Sequence, residues 1–143
     1  MFLNHFYRNL DEKSRLIFPS VFRKELGYPF YITPGLTDKC LEVYPQKEWD
    51  ELVKRLQAIP KSDQEGQDFL KWFFAYAFVG EWDKMGRVAL PSHLIEYAEL
   101  KEEVVISGNN NKLQIWSKDN WQGLVPPQEF LQRSRSVISR YNL

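Results

Sequence analysis

Asp11-Glu-Lys-Ser-Arg15-Leu-Ile-Phe-Pro19 and Asp83-Lys-Met-Gly-Arg87-Val-Ala-Leu-Pro91 follow one pattern, 72 residues apart. Each has an aspartate four residues before an arginine, then an apolar run that stops at a proline. Working outward at the same offset and without a gap, Phe2 meets Phe74, Phe6 meets Phe78 and Ser20 meets Ser92. Leu41 meets Leu113, Trp49 meets Trp121, and Leu52-Val53 meets Leu124-Val125. Conservative pairs fill the intervals, among them Ile32 with Val104, Val43 with Ile115 and Tyr44 with Trp116. A tryptophan pair at a fixed offset rarely arises by chance, so the chain is a tandem duplication.

The two copies carry the same local signals. An alternating start, FLNHFYR in one and FAYAFVG in the other, predicts a strand. The charged segment DEKSR or DKMGR predicts a turn, tightest at Ser14 or Gly86, and LIFP or VALP a second strand. Short helices are expected over Pro19–Leu26, with Gly27 as a stop, and over Pro91–Ala98. Two further strands per copy follow, Phe30–Thr33 with Leu41–Tyr44 and Val104–Ser107 with Leu113–Trp116; the second pair is joined by the turn-forming Gly108–Asn111. In Pro45–Ile59 the apolar residues Trp49, Leu52, Val53, Leu56 and Ile59 form a helical stripe. Pro60–Gly66 reads as a linker, Asp68–Phe73 as a helical turn and Gln128–Tyr141 as a last helix. The resulting division is a repeat at 5–49, a helical connection at 50–76, a repeat at 77–121 and a C-terminal helix at 122–143. About four short strands cannot close a sheet alone, so the copies should pair with pseudo-two-fold symmetry.

Composition excludes several functions. The chain has 143 residues, near one domain by length, with 19 basic and 19 acidic side chains. Zero net charge argues against a histone-like coat while leaving room for a local basic patch. Cys40 is the only cysteine and His5 and His93 the only histidines, so disulfides, zinc clusters and a Ser-His-Asp triad lack material. No cofactor is expected. Met1–Arg8 lacks the features of a secretory leader, and the apolar run Trp72–Val79 is far shorter than a membrane span. A reduced cytoplasmic setting with no membrane partner is the expectation.

The chain resembles the MraZ family of bacterial regulators, which carry two AbrB-like (SpoVT-AbrB) motifs. The resemblance rests on Asp11–Pro19, Phe22-Arg23, Gly35-Leu36, Asp38–Leu41, Tyr44-Pro45 and Trp49, with Asp83–Arg87 and Leu90-Pro91 in the second half. It runs from Phe2 to about Trp121. It implies a mainly β, α+β fold with short helices: a swapped-hairpin barrel built from both halves. It also implies a ring-shaped homo-oligomer that binds double-stranded DNA at the nucleoid. Such a regulator acts on short direct repeats upstream of its own operon, in the division and cell-wall gene cluster. The family's D-x-x-x-R element maps onto Asp11 with Arg15 and Asp83 with Arg87 as the expected DNA contacts. Ser14 stands where the family usually has glycine, and predicts a first turn shaped differently from the one at Gly86.

Arginine suits either role at such a site, gripping phosphates or holding guanine O6 and N7 together. The competing structural reading is an Asp–Arg ion pair that only ties down a turn. Arg8, Lys13, Arg23 and Lys24 complete the candidate basic set. Met1–Leu26 holds five bases against three acids, and Gly80–Glu103 three bases against six acids, so the first copy is expected to face phosphate more. Arg133, Arg135 and Arg140 of the last helix fit a solvated face or subunit contact better than a DNA arm. Two alternatives remain: paired aspartates doing acid–base chemistry, disfavoured by the neighbouring arginines, and a protein-interaction scaffold or antitoxin-like partner.

Overall fold

Leu16 and Val88 are equivalent residues of the two copies, and they pair directly across two antiparallel strands. That contact places a pseudo-two-fold axis between β2 (Arg15–Ile17) and β6 (Arg87–Ala89). The same axis runs through β4 (Leu41–Pro45) and β8 (Lys112–Ser117), where Glu42 pairs with its equivalent Gln114. The structure, a computed structural model, describes residues 1–124 and 126–143; Val125, the sequence partner of Val53, lies outside them.

The other strands are β1 (His5–Asn9), β3 (Phe30–Pro34), β5 (Phe78–Val79) and β7 (Glu103–Asn109). They join β4 and β8 in an antiparallel sheet of order β1-β7-β8-β4-β3-β5, while β2 and β6 form a separate two-stranded ribbon. The first strand of each copy pairs with the other copy, β1 on β7 and β5 on β3. The expected α+β class, with strands carrying the core, is present. The strands make two sheets, however, rather than one closed barrel, because the six-stranded sheet ends at β1 and β5.

Helices α1 (Ser20–Leu26) and α4 (Ser92–Tyr97) follow the ribbon strands. Leu16, Phe18, Phe22, Val88, Leu90 and Leu94 from this layer meet Ile32, Leu41, Val43, Val104, Ile106, Leu113 and Ile115 of the large sheet in one buried cluster. The far side of that sheet is covered in two places. Helices α2 (Gln46–Gln57) and α3 (Gln64–Tyr76) close over Tyr44 with Leu52, Leu56 and Phe73. Trp121 of α5 (Lys118–Gln122) packs beside Cys40, Val105 and Trp116. Helix α6 (Pro127–Arg140) buries no residue among those described.

Two expectations fail here for one reason. FAYAFVG is not a strand throughout: α3 continues to Tyr76 and leaves only Phe78–Val79 extended. Phe69, Trp72, Phe73 and Tyr76 recur at helical spacing, and Phe73 is wholly buried against α2. The linker is shorter than Pro60–Gly66 because Asp63 accepts a hydrogen bond from the Gly66 amide and caps α3, which starts at Gln64. With so little β5, the pairing of Ile32 with Phe78 sits two residues out of step with that of Phe6 and Ile106. A shift of two keeps each side chain on its own face.

The axis also carries a buried polar knot. Glu42 accepts from Lys112 Nζ at 2.9 Å, Gln114 Nε2 at 3.1 Å and the Tyr44 hydroxyl at 3.2 Å. Removing the cation alone strands a carboxylate that is 5% exposed. Lys112→Met should therefore lower stability by about 2 kcal/mol in urea titration, and adding Glu42→Gln should recover most of it.

Candidate nucleic-acid interface

Strand alternation puts Leu16 and Val88 inside the ribbon and Arg15, Ile17, Arg87 and Ala89 on its outer face. Arg15 pairs with Ala89 and Arg87 with Ile17, so the two arginines are diagonal neighbours, on the order of 7 Å apart along the backbone. Arg87 Nη1 lies 3.8 Å from Asp11 Oδ2, which joins the two motifs across the axis.

Each motif is built by its own aspartate. Asp11 Oδ1 accepts from the amides of Lys13 and Arg15, both at 2.9 Å, and Oδ2 accepts from Arg15 Nε at 2.7 Å. Asp83 does the same with the amides of Met85 and Arg87, at 2.9 Å, and Arg87 Nε, at 2.7 Å. The Asp–Arg pair anticipated as a turn fastener is thus present in both copies. It engages only Nε of Arg15, leaving both terminal Nη groups without a protein hydrogen bond among the described residues. The amide bonds, followed by the arginine side chain, hold both carboxyls below the ordinary carboxylate range. Two ionised aspartates, each committed to its own arginine, do not form the shared-proton pair that acid–base chemistry requires.

Ser14 does not reshape its turn. Its φ is 58° against 76° at Gly86, and the two turns close with matching hydrogen bonds, Ser14 N to Asp11 O at 3.0 Å and Gly86 N to Asp83 O at 3.1 Å. The turns differ instead in what they rest on. A Cβ at Gly86 would come within 2.7 Å of the Arg23 side chain. The residue of α4 equivalent to Arg23 is Ile95, which sits beside Ser14. Glycine is needed only where arginine crosses the turn.

This explains Arg23, whose Nη1 donates to the Phe18 carbonyl. It is half-buried and buttresses the second turn from α1. Pro19 and Pro91 precede α1 and α4, and their carbonyls accept from the Phe22 and Leu94 amides. Lys13 is exposed on the first loop. Lys24 shares a groove with Arg23, Trp82 and Lys84. Lys84 was absent from the candidate set; its signal was the repeat offset, which places it at the position of Glu12. Arg8 stands apart on the edge strand β1, with its guanidinium 5.5 Å from the Phe6 ring centre and donating to the Tyr7 carbonyl. On α6, Arg133 approaches Glu129 at 3.6 Å and Arg140 lies over Tyr141, on an exposed helix. Cys40 is buried, its thiol pushed up to about 12 chiefly by that burial, as suits a small core residue. Among the described residues no group of histidine, cysteine and carboxylate side chains could hold a metal, and no helix is long and apolar enough to cross a membrane.

Fold and site together define a tandem-repeat α+β protein that presents two aspartate-locked arginines on one outward ribbon. A family model described as "MraZ protein, putative antitoxin-like" matches residues 1–71 and again 73–136. The chain belongs to this family. It is 44% identical over 129 residues to the transcriptional regulator MraZ of Halothermothrix orenii, covering 90% of each chain. Against the protein of the same name from Carboxydothermus hydrogenoformans it is 46% identical, covering 85% of this chain and 84% of that one. The Desulforamulus reducens protein, also of that name, is 45% identical over the same shares. These names describe regulation of transcription, not catalysis.

Gly86→Ala adds strain at a positive φ and a clash with Arg23, and should lower stability by about 1–2 kcal/mol. Ser14→Gly should leave stability within about 0.5 kcal/mol, as thermal unfolding of the two variants side by side would show. Because Asp11 and Asp83 are depressed when folded, their stabilisation is complete above the ordinary value of 3.8 and fades as pH falls through the folded one. Asp83→Asn should therefore flatten the acid limb of the stability profile below that value.

Proposed function

We propose that this chain is a sequence-specific DNA-binding transcription regulator that reads the major groove of double-stranded DNA with the β2–β6 ribbon. The observation that carries this reading is the pair of outward arginines, each fixed through Nε by an aspartate. With Nε engaged, the two Nη groups form the fork that matches guanine O6 and N7. The aspartate lowers the entropy lost on binding by holding the rotamer in advance. The major groove, about 12 Å wide, admits a two-stranded ribbon. Ile17 on the same face suits a thymine methyl.

Arg15 and Arg87 are the proposed base-reading residues; Lys13 and Lys24 are proposed phosphate contacts, with Arg23 supporting the second turn. The relatives' shared name supports a regulator. On the family resemblance, the target is a set of short direct repeats upstream of the chain's own operon, in the division and cell-wall gene cluster. The same resemblance gives a ring-shaped homo-oligomer in the cytoplasm, associated with the nucleoid, and a swapped-hairpin barrel. Several copies of one small ribbon on adjacent repeats would multiply a modest affinity by linkage. The exposed, apolar-striped α6 is available for contacts between copies.

Fluorescence anisotropy with a labelled duplex from upstream of this gene, against a scrambled duplex, tests the reading. Arg15→Ala and Arg87→Ala should each lose about 10- to 100-fold in preference for the upstream duplex while staying folded. Wild-type protein that binds neither duplex at moderate salt would overturn it in favour of a protein-interaction scaffold.

A further inference from the structure

The outer ribbon is nearly symmetric, but its two flanks are not. Each motif loop packs beside the short helix of the other copy: the Gly86 carbonyl accepts from the Phe18 amide, and the Ser14 carbonyl from the Leu90 amide. One flank is therefore α1 with the loop at Asp83–Gly86, and the other is α4 with the loop at Asp11–Ser14. At equivalent positions the first flank has Arg23, Lys24, Lys84 and Met85, and the second has Ile95, Glu96, Glu12 and Lys13. At these positions three cations on one side thus stand against one cation and two acids on the other. Lys101 on the second flank is matched by Asp119 at 3.3 Å and has Glu102 beside it. Lys24 and Lys84 have no ion-pair partner among the described residues, and both line the groove between α1 and the second loop.

We infer that the α1 groove is the main contact to the DNA sugar-phosphate backbone next to the ribbon, that the α4 flank, where Lys13 stands beside Glu12, holds it far less, and that this imbalance fixes a single orientation on the duplex. The inference rests on the ribbon reading above. Lys24 and Lys84 supply the two cations, and Arg23, which donates to the Phe18 carbonyl and crosses Gly86, holds the loop that carries Lys84. On the opposite flank Glu12 and Glu96 repel a phosphate drawn to the same place. A symmetric reading element with one anchoring flank suits an asymmetric site repeated head to tail, because every copy then lies the same way. A palindromic site would require one half to be read with the acidic flank against phosphate.

Two measurements on the full chain test this, using the upstream and scrambled duplexes. The first is anisotropy across a salt series with Lys24→Ala/Lys84→Ala. The slope of log affinity against log salt should fall by about 0.9 for each phosphate that the variant no longer neutralises. Both duplexes should weaken by a similar factor, leaving the preference intact. Glu12→Ala/Glu96→Ala should not lower the slope. The second is DNA cleavage by an iron chelate tethered to Ser20→Cys, on α1, which labels selectively because Cys40 is buried. Wild-type flanks should give cuts on one side of each repeat. An unchanged slope in the double lysine variant, or equal cutting on both sides, overturns the groove proposal. In either case an Arg15→Ala variant that loses its preference leaves the ribbon reading standing. If Arg15→Ala binds both duplexes as wild type does, the ribbon reading fails and this inference with it.

Discussion

Everything in this molecule depends on the pairing of β2 with β6. Neither copy supplies a partner for its own three-residue strand, so Leu16 and Val88 reach the core only when they face each other across the axis. Three ladder positions are a small element, and the aspartates at its ends make it rigid. Each aspartate satisfies two loop amides and one guanidinium. A short ribbon without those bonds would fray, since an isolated pair of strands is barely stable in water. Fold and proposed function therefore share their parts: the bonds that complete the turns also aim the arginines.

The repeat made most of this readable. An offset of 72 residues placed equivalent residues side by side, and the structure pairs Leu16 with Val88 and Glu42 with Gln114. Local chemistry was equally plain where one residue type decides it, as with the prolines before α1 and α4 or the stripe of α2. What could not be read was whatever depends on packing between copies. The start of the second copy alternates like a strand, yet Tyr44, Leu52 and Leu56 offer Phe73 a better burial as helix. Ser14 looked like a change of turn shape, because the reason for Gly86 lies in Arg23, more than sixty residues away.

The same dependence alters the electrostatic picture. Counted along the chain, the first copy is the basic one. Folded, the basic helix of the first copy lies beside the second copy's loop, so Lys24 and Lys84 share a groove that neither segment contains alone. Divergence after duplication has kept the two arginines and their aspartates alike while making the flanks opposite in charge. On the proposed reading, unequal flanks on a duplicated ribbon give the protein one direction on DNA.

On the proposed reading the ribbon enters the major groove, where Arg15 and Arg87 read guanine. Methylation interference tests it most directly, because dimethyl sulfate marks guanine at N7 in the major groove and adenine at N3 in the minor groove. Methylated guanines within the upstream repeats should block binding of the wild-type protein, and Arg15→Ala should lose sensitivity at particular guanines. Interference confined to adenine N3, or none at any guanine, would contradict it.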